Sequence, residues 1–255
     1  MELFFRTFGE EQPIIILHGL FGSSDNWNTL AKTLSENTFK VFTIDLRNHG
    51  QSPHSEDMSY ELMAKDITEF IQKYNIQKPI LMGHSMGGKV AMYVDYLYPN
   101  ILQQLIVVDI ALKAYPENGH SDVFAALNAV DFNVIKTRRD TEQVLREYLQ
   151  QESVIQFLLK NVYWQTSDTL AWRFNLSAIQ KHYKNIITQI PFYTSNTKTT
   201  FIKGENSAYI LQTDIEDIKQ QYSQIQFYSI KDAGHWVHAD QPKVFLDIIT
   251  SVVTR

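Results

Sequence analysis

The sequence predicts an α/β protein: a mostly parallel central sheet flanked by helices, with a helical cap inserted between two of its strands. Three observations carry this. Across residues 1–111, short apolar runs alternate with amphipathic stretches, the pattern of a parallel sheet covered by helices. Residues 112–189 then carry helical periodicity and no convincing strand. Strand and helix patterns resume over 190–255, so residues 1–111 and 190–255 read as one core and 112–189 as a cap inserted into it.

The elements follow in order. Strands are expected at Leu3–Phe8, Ile14–Leu17, Val41–Asp45, Pro79–Met82 and Leu105–Asp109, each a short apolar run bounded by turn residues. Helices are expected between them at Trp27–Ser35, Tyr60–Tyr74 and Lys89–Leu97, the second opened by Ser59 as N-cap. In the cap the 3.6-residue period recurs at Val123–Val130, Thr141–Gln150, Ser153–Leu159 and Leu176–His182. Two late strands, Thr199–Lys203 and Gln226–Ile230, precede a closing helix over Pro242–Val253, with Asp240 or Gln241 as its cap and Pro242 in its first turn. A helical insertion between sheet strands most simply lies over the carboxyl ends of those strands, where open α/β sheets bind ligands.

Composition narrows the function classes. With 255 residues, 44% of them hydrophobic, the chain can bury a sizeable core. A formal charge of −5 offers no basic field for nucleic acid or an anionic membrane. Cysteine is absent, which removes disulfides, thiolate metal sites and a cysteine nucleophile together. No apolar run approaches the roughly 18 residues of a membrane span, and Met1–Gly9 is too short and charged for a signal peptide. The expectation is a cytoplasmic enzyme without metal or cofactor, acting on a small molecule, with neither nucleic acid nor stable membrane insertion.

The chemistry is concentrated in Gly83-His84-Ser85-Met86-Gly87, a G-x-S-x-G pattern between an apolar strand and a helix. A serine at such a turn is held in a strained conformation with its hydroxyl above the sheet. The bland alternative is a glycine-rich turn with Ser85 as an ordinary N-cap. Serine is a weak nucleophile until a base takes its proton, and the base needs a third group to fix its tautomer. Of the eight histidines, His235, just after the last strand, is the expected base, with His238 its local rival. His54, His120 and His182 read as surface residues, His84 as a packing or hydrogen-bonding neighbour of Ser85 and His49 as a loop residue.

The acid is less conventional. A carboxylate often follows the strand ending at Lys203, but that turn reads Gly204-Glu205-Asn206-Ser207, with serine at the expected place. Glu205 sits two residues early. Asp109, at the end of the preceding strand, can reach a histidine on the last loop equally well, because neighbouring strand ends converge on one rim. Asp109 is therefore the expected acid, against an alternative in which it anchors the cap, and Ser207 is an auxiliary hydroxyl bonded to it or its surroundings. An oxyanion needs two backbone donors. Met86, following Ser85, supplies one amide; Leu20, in His18-Gly19-Leu20-Phe21-Gly22 after the second strand, supplies the other. The cap aromatics Phe157 and Trp172, with Phe21 and Trp236 on the adjoining loops, are candidates for an apolar acyl wall.

With these residues in place, the chain resembles the α/β-hydrolase superfamily over nearly its whole length and, within it, is similar to the esterase YbfF group. The marks are His18 to Ser23, Asp45-Leu46-Arg47-Asn48-His49-Gly50, Gly83 to Lys89, Val108-Asp109-Ile110, the cap segments Val154–Lys160 and Trp172–Asn175, Asn206-Ser207 and Gly234–His238. The resemblance implies Ser85 as nucleophile, His235 as base, Asp109 as acid and Ser207 as auxiliary member, acting on carboxylic esters and acyl thioesters, including acyl-coenzyme A. The chain departs from the pattern at Ile110-Ala111-Leu112, where the family usually has proline at or near Leu112. Serine at the elbow excludes the carboxylate-nucleophile branches, the dehalogenases and epoxide hydrolases. A carbon–carbon hydrolase, a cofactor-free haloperoxidase and a non-catalytic ligand-binding relative remain as alternatives.

Overall fold

A computed structural model describes residues 1–36 and 39–253. Its centre is a seven-stranded sheet in the order β1-β3-β2-β4-β5-β8-β9. The strands are β1 (Phe5–Phe8), β2 (Gln12–Leu17), β3 (Phe39–Ile44), β4 (Ile80–His84), β5 (Gln104–Val108), β8 (Lys198–Gly204) and β9 (Ile225–Ile230). All neighbours run parallel except β1, which pairs antiparallel with β3 at the edge. The inner strands read as unbroken apolar runs because helices cover both faces: Ile14, Ile15, Ile16 and Leu17 are all fully buried, pointing alternately into two cores.

The helices α1 (Asn28–Ser35), α2 (Tyr60–Lys73) and α3 (Met86–Leu97) lie among the first five strands, and α9 (Asp214–Gln221), α10 (Val237–Asp240) and α11 (Pro242–Val253) among or after the last two. Ser59 caps α2 as expected, its hydroxyl accepting from Leu62 N–H at 3.3 Å. Among the elements of the core the largest boundary shift is at α3, which begins at Met86, three residues before the expected Lys89. Glycines 87 and 88 hid its first turn, since glycine is a poor helix former there and is present for clearance. A Cβ on Gly83 would sit 2.1 Å from the Gly87 carbonyl oxygen, so the strand-to-helix turn closes only over a bare backbone.

Between β5 and β8 lie α4 (Ser121–Ala129), α5 (Arg138–Tyr148), α6 (Glu152–Leu159), α7 (Leu176–Lys181) and α8 (Tyr183–Ile186). This insertion also contains strands, contrary to the sequence expectation: β6 (Val162–Trp164) and β7 (Leu170–Trp172) form an antiparallel hairpin. Three residues per strand are too few to display a two-residue alternation, and their aromatic content reads as helix packing. The insertion docks on the loops after β2 and β3: Asn161 Nδ2 donates to Phe21 O at 2.9 Å, and Asn175 N–H to Asn48 O at 2.9 Å. Its two ends are joined, with Tyr115 N–H donating to Ile187 O (2.8 Å) and Ile190 N–H to Leu112 O (2.7 Å). The buried Lys89 ammonium, one turn into α3, donates to the carbonyls of Lys113 (2.8 Å) and Thr188 and so ties both ends to the core.

The turn at Gly83 gives a stability test. Gly83→Ala should destabilise the protein by about 3 kcal/mol, because the added methyl meets backbone that cannot yield. Urea denaturation of parent and variant measures this; an unchanged midpoint would mean that the turn has slack.

Candidate active site

Strand register brings the expected residues to one rim. Leu17 is level with Gly83, His84 with Val108, Val108 with Ile202, and Gly204 with Ile230. The residues just past these pairs are the His18–Leu20 loop, Ser85, Asp109, the 205–207 turn and the loop carrying His235. Ser85 has φ 53° and ψ −121°, and Asp109 has φ 50°. Non-glycine residues held at such angles cost about 1–3 kcal/mol each and persist only where their surroundings enforce them. Here the enforcement is visible: Ser85 N–H donates to Val108 O at 2.9 Å, and Asp109 N–H to Ile202 O at 2.8 Å.

The Asp109 side chain is fully buried and receives three donors. Gly204 N–H meets Oδ1 at 3.0 Å, the Ser207 hydroxyl donates to Oδ2, and His235 Nδ1 lies 2.8 Å from Oδ2. That last bond places the Nδ1 proton against the carboxylate and leaves Nε2 as the accepting edge of a neutral ring. Ser207 thus contacts Asp109. Glu205 faces away and accepts from Asp232 N–H at 3.3 Å on the surface. His238 lies stacked on Trp27 at 4.1 Å.

Tyr209 was not anticipated. Its ring stacks on His235 at 3.7 Å and 14°, and its N–H donates to Ser207 Oγ at 3.2 Å. Nothing in its spacing from His235 marks it, because the two meet only when β8 and β9 bring their loops together.

Leu20 and Met86 both border a cavity of about 480 Å³ that also reaches Ser85. The Met86 amide is one of the free donors of the first turn of α3. The Leu20 loop approaches Ser85 because residue 19 lacks a side chain: a Cβ there would lie 3.2 Å from Ser85 Cβ. His18 fixes the loop. Its Nε2 accepts from Leu46 N–H at 3.0 Å, so its Nδ1–H donates to Gly19 O at 2.8 Å, and burial pushes its pKa down to about 4. His84, expected as a packing or hydrogen-bonding neighbour, donates from Nε2 to the carbonyl of His235 at 2.8 Å.

The remaining cavity wall comes from Ile110, Tyr115, Ile186, Ile187 and Tyr209, among others. The aromatics expected to form it pack elsewhere. Phe21 is buried against Phe124 and Phe174, and Trp172 stacks on Phe174 at 5.3 Å. Phe157 meets Trp236 at 5.6 Å, and Trp236 lies 6.2 Å from His235, outside the lining of the cavity. Arg47 is spent on a buried two-pronged pair with Asp66, at 2.6 and 2.9 Å.

Comparison with known proteins agrees with this architecture. A family model described as alpha/beta hydrolase fold matches residues 12–242. The chain is 37% identical to the esterase YbfF of Escherichia coli over 237 residues, which is 93% of this chain and 91% of that one. It is 39% identical to the sn-1-specific diacylglycerol lipase ABHD11 of Danio rerio, over 96% of this chain and 78% of the relative. Among solved structures, a marine microorganism esterase superposes with a TM-score of 0.95 at 41% identity, covering 98% of both chains.

The buried histidines around the site set a pH limit. Burial lowers His18 to about 4, His49 to about 3, His238 to about 3 and His84 well below the ordinary imidazole value. In the unfolded chain each binds a proton near pH 6.5. Below that pH the unfolded state holds more protons, and each histidine drains about 1.4 kcal/mol of stability per pH unit until its folded pKa is reached. Stability should therefore be full above about pH 6.5 and fall as the pH drops towards 4. His238→Phe, which keeps the stack on Trp27, should lose about 2 kcal/mol less than the parent between pH 7 and pH 5. Equal losses in urea titrations at the two pH values would refute this.

Proposed function

The chain belongs to the α/β hydrolase family, and from that premise we propose that it is a serine esterase working through Ser85, His235 and Asp109. The observation that carries the reading is the buried Asp109 carboxylate bonded to His235 Nδ1, beside a serine in strained backbone at the adjoining strand end. The esterase and lipase relatives support ester hydrolysis.

His235 Nε2 takes the Ser85 hydroxyl proton as Oγ attacks the acyl carbon. The amides of Leu20 and Met86 receive the oxyanion, and Asp109 steadies the imidazolium that forms. Collapse of the tetrahedral species expels the alcohol, or thiol, protonated by His235, and leaves an acyl group on Ser85. Water, activated by the same histidine, then releases the acid. Acyl thioesters such as acyl-coenzyme A fit the same steps and are part of the proposal. So is the division into a 1–111 and 190–255 core and a 112–189 cap that closes over the cavity. We place the enzyme in the cytoplasm, acting on small-molecule esters; no helix among the described residues is long and apolar enough to cross a membrane.

The roles separate by mutation. With p-nitrophenyl butyrate and a medium-chain acyl-coenzyme A as substrates, Ser85→Ala should abolish turnover with the fold intact. Asp109→Asn should cost of order 10⁴ in kcat, the loss known for a serine protease whose histidine is left in the wrong tautomer. Ser207→Ala should cost about tenfold, one hydrogen bond's worth, and Glu205→Gln should be neutral. An active Asp109→Asn enzyme, or an inactive Glu205→Gln one, would overturn the assignment of the acid.

A further inference from the structure

His120, at the start of α4, and Tyr183, at the start of α8, both line the cavity that reaches Ser85. His120 Nδ1 lies 2.6 Å from the Tyr183 hydroxyl. The pair is held in place: the Tyr183 ring stands edge-on to His120 at 87° and to Phe124 at 79°. Several other polar groups on this cavity are already spent. The Tyr60 hydroxyl donates to Ile186 O at 2.5 Å, Tyr115 to Tyr209 O at 2.7 Å, and the Lys113 ammonium is paired with Asp214 at 2.6 Å.

Burial, and then the charge of His235, lowers the His120 pKa, which keeps its ring neutral. A neutral imidazole carries one N–H and a phenol one O–H. If Tyr183 donates to Nδ1, the Nε2–H is left over. If Nδ1–H donates to Tyr183, the phenol proton is left over. Either tautomer leaves one donor unspent. An alkyl chain filling the cavity would strip that donor of water and give nothing back, whereas an acceptor oxygen would satisfy it.

We propose that the His120–Tyr183 pair binds a second oxygen of the substrate, a carbonyl, ether or hydroxyl oxygen several bonds from the scissile ester. The enzyme then prefers oxygenated esters to alkyl esters of the same shape. This rests on the reading of Ser85 as the nucleophile of an esterase and adds to it the class of ester.

Two isosteric pairs test it, one for each side of the ester bond. On the acyl side, p-nitrophenyl 5-oxohexanoate is compared with p-nitrophenyl 5-methylhexanoate; on the alcohol side, 4-oxopentyl butyrate with 4-methylpentyl butyrate. The expected result is a preference of at least tenfold in kcat/KM (about 1.4 kcal/mol) for the oxygenated ester in one of the pairs, which also tells which side the cavity receives. His120→Phe and Tyr183→Phe should each collapse that ratio towards one, and His120→Gln, which retains a side-chain N–H, should keep part of it. Hydrolysis of all four esters without preference overturns the recognition site alone, as does a ratio unmoved by both phenylalanine variants. Failure to hydrolyse any of the four above the Ser85→Ala level overturns the esterase reading together with it.

Discussion

A carboxylate with no access to solvent has to be matched by donors, and Asp109 organises this rim on that account. An ion buried without partners costs far more than the few kcal/mol by which a protein is stable. Asp109 therefore requires the Gly204 amide from the end of β8, the Ser207 hydroxyl from the following turn, and His235 from the loop after β9. Three segments, nearly a hundred residues or more from it in sequence, meet on two oxygens. The strained φ of Asp109 is the local cost of aiming the side chain at all three.

Around that anchor His18 and His84 are kept neutral by burial, and each performs a different structural task. His18 spends both ring nitrogens on the loop that carries Leu20, and His84 holds the backbone of His235. Their low basicity keeps positive charge from accumulating beside His235. Tyr209 closes the far side, its face against the imidazole and its amide on Ser207, which couples the orientation of the His235 ring to the Ser207 hydroxyl on Asp109.

Much of this was legible in the chain. Parallel strands buried on both faces announce themselves as uninterrupted apolar runs, and the elbow combines a strand, a small-residue turn and a helix within a few residues. His235 stands out because it follows the last strand, on the same rim. Other features leave no local trace. The hairpin of β6 and β7 is shorter than the period that would reveal it. The aromatics of the insertion and its adjoining loops were visible, but which face they present was not: Phe21 and Trp172 join the packing between insertion and core, while smaller aliphatic residues such as Ile186 and Ile187 line the cavity. His120 read as a surface residue because its partner, Tyr183, is 63 positions away. Contacts between segments that distant are written in topology and cannot be read from spacing.

The measurement that bears most directly on the proposed chemistry is the reaction with a fluorophosphonate, followed by intact mass and peptide mapping. The triad requires a single adduct per chain, on Ser85. In the Asp109→Asn protein the rate should fall by orders of magnitude while the adduct stays on the same residue. Labelling at another residue, or equal rates in the two proteins, would contradict a nucleophile at Ser85 activated through His235 and Asp109.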